Sequence, residues 1–250
     1  MEARQVKAGN AWSWIVGGFG LFRQNPVIWI ALFFIYLLVA MVLSIVPLVG
    51  PIVLNLLAPV FMAGFMLGCR ALEMDEELEI NHLFAGFKTN TAQLVTVGGI
   101  YLVGAIVIVG IVFIFFGADT MSSLFSGHMA EGRPPVDPAE AGAVPALALL
   151  IILGAMLPLI MAYWFAPALV LFHDMKAVDA MKLSFFACLR NIMPFMVYGV
   201  ISAMLLVLAM IPLGLGLLIM IPTMTASLYV SYKDIFNIDT LGVDEVLTEN

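Results

Sequence analysis

The chain has 250 residues, of which 63% are hydrophobic and only 11% charged, with a mean hydropathy of +1.10 and a formal net charge of −7. Soluble domains carry roughly a quarter charged residues, so this composition excludes a soluble globular protein and indicates an integral membrane protein. The acidic balance, with Lys and Arg scattered rather than gathered on one face, excludes nucleic acid as a partner.

The chain starts MEARQVKAGNAWSWIVGG. With an acid at position 2 and no short apolar core followed by a small-x-small site, this start is expected to be mature sequence rather than a signal peptide. Trp12, Ile15, Phe19 and Phe22 recur at helical spacing and predict an amphipathic helix ending at Arg23. Residues 24–69 then run for 46 positions without Asp, Glu, Lys, Arg or His. A charge at the bilayer centre costs at least ~2.5–3.5 kcal/mol, so such gaps mark spans. At about 1.5 Å per residue this one is long enough to cross a ~30 Å core twice. It therefore turns at PLVGP (47–51), between spans at 27–46 and 52–70. An acidic run, EMDEELE at 73–79, leads into a second amphipathic segment, with Ile80, Phe84 and Phe87 ahead of Lys88. Residues 89–118 and 141–172 are also free of ionisable side chains and give one span each, at 93–117 and 146–172. The stretch between them, about 118–144, is rich in Pro, Gly, Ser and acids and reads as an irregular outer loop. Val178, Met181, Phe185 and Cys188 form a third amphipathic face ahead of Arg190. Residues 191–232 then fold back at IPLGLG (211–216), between spans at 193–211 and 215–233.

The expected fold is all-α: a polytopic membrane protein forming a single transmembrane domain over residues 1–250. Six transmembrane helices pair as three hairpins, each preceded by a cytoplasmic interfacial amphipathic helix. On this map nine of the ten cations fall on one side and only Arg133 on the other, so both termini are expected to be cytoplasmic. The amphipathic segments end in FGLFRQN (19–25), FAGFKTN (84–90) and a looser FFACLRN (185–191), which reads as an internal repeat. Trp12, Phe22, Arg23, Phe87, Lys88 and Arg190 are the expected interfacial anchors, with the charges at headgroup level. The returning helices repeat as well: PVFMAGF, PLIMAYW and PTMTASL each place an Ala four residues after Pro59, Pro158 or Pro222, which are the candidate helix kinks.

Ligands do not converge anywhere in the sequence, so no metal, cofactor or catalytic site is expected. Cys69 and Cys188 map to the cytoplasmic edge, a reducing place, and are expected to be free thiols. No Asp, Glu, Lys or Arg lies inside a span, which argues against a proton- or ion-coupled pump. Asn55, Thr96 and Thr225 are the candidate intramembrane polar contacts. A carboxamide such as Asn55 either lines a pathway or bonds to a neighbouring helix for about 0.6–2 kcal/mol. Gly64 and Gly68 form a GxxxG that brings backbones together, within one chain or between two.

Three stretches, LFAGFK (83–88), W-x-W-x-x-x-G-F-x-L-F-R-x-N-P (12–26) and IVPLVGP (45–51), together resemble an uncharacterised family of proteobacterial inner-membrane proteins. The F-x-x-F-[RK]-x-N unit is distantly similar to one in the membrane domain attached to some glycerophosphodiester phosphodiesterases. The resemblance implies a bacterial inner-membrane location and a six-span helical fold; it supplies no catalytic residues, and no hydrolase domain accompanies it here. The expected function is that of a non-enzymatic scaffold contacting membrane lipid, a membrane-protein partner or further copies of itself. The alternative is a transporter or channel for a small or lipidic solute.

Overall fold

A computed structural model describes residues 2–126 and 138–238, with side chains placed at 2–118 and 144–238. Residues 127–137, the middle of the expected outer loop, and the last twelve residues lie outside the described residues, whereas the loop's expected flanks, 118–126 and 138–144, are helical rather than irregular. Among those described, all regular secondary structure is helical. The α-helices are α1 (Asn10–Gln24), α2 (Pro26–Ser44), α3 (Val49–Glu73), α4 (Thr91–Ser126), α5 (Pro138–Trp164), α6 (Ala166–His173), α7 (Ala177–Arg190), α8 (Ile192–Met210) and α9 (Leu217–Phe236). A 3-10 helix covers Ile80–Phe87.

Five stretches are long and apolar enough to cross a membrane: Pro26–Ser44, Val49–Glu73, Thr91–Ala118, Val144–His173 and Ile192–Met210. Half of the most apolar window of α3 is buried inside the chain, against 6–11% in the other four, so α3 is interior while the others turn apolar side chains outward. The sixth expected span, α9, does not join them, because it carries Lys233 and Asp234 along with several hydroxyl groups. Its neighbours explain this composition. Ten of its 20 residues are buried against the rest of the protein, where Ser227 meets the Tyr198 hydroxyl at 2.6 Å, so it has less need of lipid-like side chains.

The fourth expected span, 146–172, breaks at Phe165. The amide of Phe165 would ordinarily bond to the Met161 carbonyl; instead it donates to Ser184 Oγ (2.9 Å), and that hydroxyl donates in turn to Met161 O (2.7 Å). A side chain from α7 is thereby inserted into the helix ladder, and Pro167, in the first turn of α6, brings no amide of its own. By contrast α3, α5 and α9 continue as helices through Pro59, Pro158 and Pro222. Gly117 (φ 79°) interrupts α4 just before the end of its apolar stretch.

The second amphipathic segment is a 3-10 helix rather than an α-helix. A reciprocal cap joins Glu79 and His82, with the Glu79 amide donating to His82 Nδ1 at 3.0 Å. With three residues per turn, Leu83 and Gly86 stack on one buried row while Phe84 and Phe87 share the next.

The helices assemble as three consecutive units: α1–α2–α3, then the 3-10 helix with α4, α5 and α6, then α7–α8–α9. The leading segment of each unit packs on the closing helix of the unit before it. The 3-10 helix lies on α3 so closely that a Cβ on Gly64 would sit 2.5 Å from Leu83 O, and one on Gly86 2.2 Å from Val60 O. The GxxxG glycines thus serve a contact within the chain. The second seam, α7 on α5, holds the Ser184 insertion. The third joins α1 to α9, which run antiparallel, with Trp14 beside Asp234, Gly17 beside Val230 and Gly18 so close to α9 that an added Cβ would sit 2.5 Å from Thr223 O and 2.6 Å from Ser227 N. The contact points on the closing helices, Val60, Met161 and Thr223, lie one, three and one residues after Pro59, Pro158 and Pro222.

An Asn stands at each corner between leading segment and span. Asn25 (φ −146°, ψ 70°) caps α2, its Oδ1 accepting from Ile28 N at 3.4 Å. Asn90 adopts φ 54°, which Asn tolerates better than most side chains, and its amide donates to Asp174 Oδ1 (2.6 Å) and Val170 O (3.2 Å). Asn191 is fully buried; it accepts from Val6 N (2.8 Å) and donates to Arg4 O and Ala187 O (2.9 Å each). These last bonds belong to a terminal clasp. Arg4 N–H donates to Ile235 O (2.9 Å), and its guanidinium pairs with Asp234. Asp234 Oδ2 also accepts from Asn10 Nδ2 (2.8 Å) and Trp14 Nε1 (2.7 Å).

Candidate functional site: a central cavity and three seams

Between the three closing helices, lined by residues close in sequence to their prolines, lies a cavity of about 420 Å³. Asn55, Ala58 and Met62 of α3, Ile160, Tyr163 and Trp164 of α5, and Met224, Thr225 and Leu228 of α9 line it, with Tyr101 of α4 and Tyr198 of α8. None of these residues is charged. The Tyr101 and Tyr163 rings pair with centroids 4.9 Å apart. Thr225 donates to Ile221 O (3.1 Å) and Asn55 Nδ2 to Pro51 O (2.9 Å), so the Thr225 hydroxyl and one of the two Asn55 amide protons are taken up on their own helices. Trp164 Nε1 is sealed behind the wall without a partner.

The seams differ from one another. Between α1 and the α8–α9 hairpin is an apolar groove of about 480 Å³, walled by Trp12, Ile15, Val16 and Phe19 on one side and by Leu205, Leu208, Ile219 and Met220 on the other. At the equivalent place between α7 and the α4–α5 hairpin, a groove of about 450 Å³ is walled by Ile100, Ala162, Val178, Met181, Phe185 and Phe186, with Lys182 at its edge. Aromatic side chains fill the remaining seam. The Phe61 ring packs against those of Tyr36 and Phe87 (centroids 5.4 Å apart in each pair) and Phe84 (6.3 Å), while Phe65 stacks on Phe33 (4.8 Å) and Trp29 (6.1 Å).

Of the three expected polar contacts, the structure brings Asn55 and Thr225 to one cavity. Thr96 lies elsewhere, on an apolar dent of α4 with Gly99 and Val103, bonded to Ala92 O. Among the expected anchors, Trp12, Arg23, Phe87 and Lys88 have exposed side chains. Phe22 is turned inward and buried, and Arg190, although exposed, donates to Ala3 O (3.0 Å). Sequence reasoning missed Tyr163, Trp164 and Tyr198, because aromatics inside apolar runs are indistinguishable from lipid-facing filler. Their common signal is position, within a few residues of the repeated prolines or facing them.

Among the described residues no group of His, Cys, Asp and Glu is gathered as a metal-binding set. Cys69 and Cys188 are both buried and unpaired as disulfides. Burial pushes the Cys188 thiol up to about 12, against a smaller downward effect of Ser184. His173 Nε2 lies 2.7 Å from the Tyr232 hydroxyl.

The chain is similar to a probable inner membrane protein of Burkholderia thailandensis, with 32% identity over an alignment of 267 residues that covers 98% of each chain. It belongs to the same family. Membership over the whole length supports an inner-membrane protein, and five of its helical stretches are long and apolar enough to cross that membrane. No family model and no solved structure matches the chain.

Proposed function

We propose that this inner-membrane protein is a non-enzymatic scaffold that holds membrane lipid in the seams of a closed three-unit ring. In this reading α9 is a sixth span, the spans form three hairpins, and both termini are cytoplasmic. The observation that carries it is the inequality of the seams. One is filled by the chain's own aromatic side chains; the other two leave apolar grooves of similar size in equivalent positions. In a bilayer such grooves take acyl chains, and Lys182 at the edge of the second offers a cation to an anionic headgroup. The exposed apolar faces of α1 and α7, with Trp12, Val16, Phe19, Val178 and Phe186 outward, suit the same leaflet. The distant likeness to the phosphodiesterase membrane domain fits a shared membrane-embedded architecture and brings no chemistry with it.

Lipid extraction after purification in mild detergent tests this. The wild type is expected to retain anionic phospholipid in a fixed ratio, and Lys182→Gln to retain less, while Lys176→Gln, at the start of α7 and outside the groove, retains as much as wild type. Equal retention by Lys182→Gln and wild type would sink the reading. For topology, a phosphatase reporter fused at position 130 is expected to be active and one at position 80 silent.

The cavity between three proline-bearing helices favours a second reading, transport of a lipidic solute.

A further inference from the structure

We infer that the central cavity is a binding site for an uncharged, carbonyl-bearing lipid, whose carbonyl oxygen accepts hydrogen bonds from Tyr101 and Tyr163. A volume of about 420 Å³ falls among small-ligand sites. Charge decides the class of ligand. Among the lining residues there is no Lys, Arg or His to meet a phosphate or carboxylate, and none that is acidic to meet an amine. Burying an unpaired ion there would cost several kcal/mol.

The polar atoms narrow it further. The Thr225 hydroxyl and one N–H of the Asn55 amide already donate to carbonyls of their own helices, which leaves the second Asn55 N–H as a further donor at the wall, and the Tyr198 hydroxyl is paired with Ser227. The Tyr101 and Tyr163 hydroxyls have no hydrogen-bond partner among the described residues, and neither is sealed against approach as Trp164 Nε1 is. A phenol in apolar surroundings without an acceptor is costly, so the site calls for an acceptor oxygen. The rest of the wall, with Met62, Ile160, Met224 and Leu228, suits a flat ring or an alkyl chain. A quinone ring and the ester of a diacylglycerol both present that chemistry.

The test is a titration of the purified full chain in detergent, read as a shift in thermal midpoint. The probes are a short-tailed ubiquinone analogue, dioctanoylglycerol and, as a charged control, dioctanoyl phosphatidylglycerol. One of the two uncharged probes is expected to raise the midpoint saturably, and which one does so identifies the source of the carbonyl. Tyr101→Phe and Tyr163→Phe keep the rings and remove one donor each. Each is expected to weaken the apparent Kd about two- to twelvefold, the range of a single net hydrogen bond. Ala58→Phe, which fills the cavity from α3, is expected to abolish the response while the unliganded midpoint reports that the chain is folded. Three results would overturn the inference: no response to either uncharged probe, wild-type affinity in the double Phe variant, or undiminished binding by Ala58→Phe. Loss of phospholipid retention in Lys182→Gln is read in a separate experiment, so the seam reading and this one fail independently.

Discussion

Two glycines in α1, two residues apart, give a sharp test of how the ring closes. A Cβ added to Gly18 would sit 2.5 Å from Thr223 O, 2.6 Å from Ser227 N and 2.8 Å from Ser227 Cα, all backbone atoms of α9 that no rotamer change can move. The shortest contact falls about 0.9 Å below an ordinary 3.4 Å approach, so α1 and α9 must part along the seam. Overpacking of this kind costs about 1–3 kcal/mol. A Cβ added to Gly20 would meet nothing within 4 Å. Both substitutions to Ala gain the same helix propensity, about 0.8–1.0 kcal/mol, so their difference isolates the packing. Gly20→Ala is expected to stabilise by about that amount, and Gly18→Ala to fall about 1–3 kcal/mol below it, a factor of about 5 to 150 in the unfolding equilibrium. Unfolding by graded addition of a denaturing detergent to mixed micelles, followed by helix circular dichroism, measures both. If the two variants unfold together, α1 does not rest on α9 as described.

The other expectations concern single groups. Ser184→Ala removes the hydroxyl that bridges Phe165 N and Met161 O and leaves a buried amide unpaired; a loss of about 1–3 kcal/mol is expected by the same unfolding assay, with Ser184→Thr closer to wild type than Ala. Burial acts to raise the Asp234 carboxyl, but bonds from Asn10, Trp14 and Arg4 outweigh it and hold the group below its ordinary value. The stabilisation is therefore complete above the unfolded carboxylate value of about 3.9 and is lost as pH falls through the lower folded value. Hydrogen exchange at the Arg4 amide, bonded to Ile235 O, should accelerate in that acid range, and in Asp234→Asn should be faster throughout and nearly independent of the carboxyl titration. Cys69 and Cys188 are both buried, so a maleimide at neutral pH should label neither until the chain is unfolded; prompt labelling of Cys188 in the native protein would contradict its placement.

What the sequence revealed, and what it hid, follows from how far apart the interacting residues lie. Spans are legible because the cost of burying charge acts on each helix alone, and the ionisable-free gaps bracket the five apolar helices within a few residues. The composition of α9 looks ambiguous because its surroundings are protein, which only the packing discloses. The amphipathic runs were recognisable by spacing, but not which face turns inward: Trp12 and Phe22 belong to one apolar set in the sequence, yet one is exposed and the other buried. The repeated Asn at 25, 90 and 191 was visible as a letter, while its use at three corners depends on partners as distant as Arg4. The break at Phe165 was hidden altogether, since its cause is a hydroxyl nineteen residues away.

Because the first helix rests on the last, its inward face has no partner while the chain is being made. Gly18 and Ser227 are separated by 209 positions, and at about 5–20 residues per second translation takes on the order of 10–40 s to cover that distance. During that interval Trp14 and Ile15 must be sheltered by lipid or by the insertion machinery, and the seam can close only after residues 217–236 have been made.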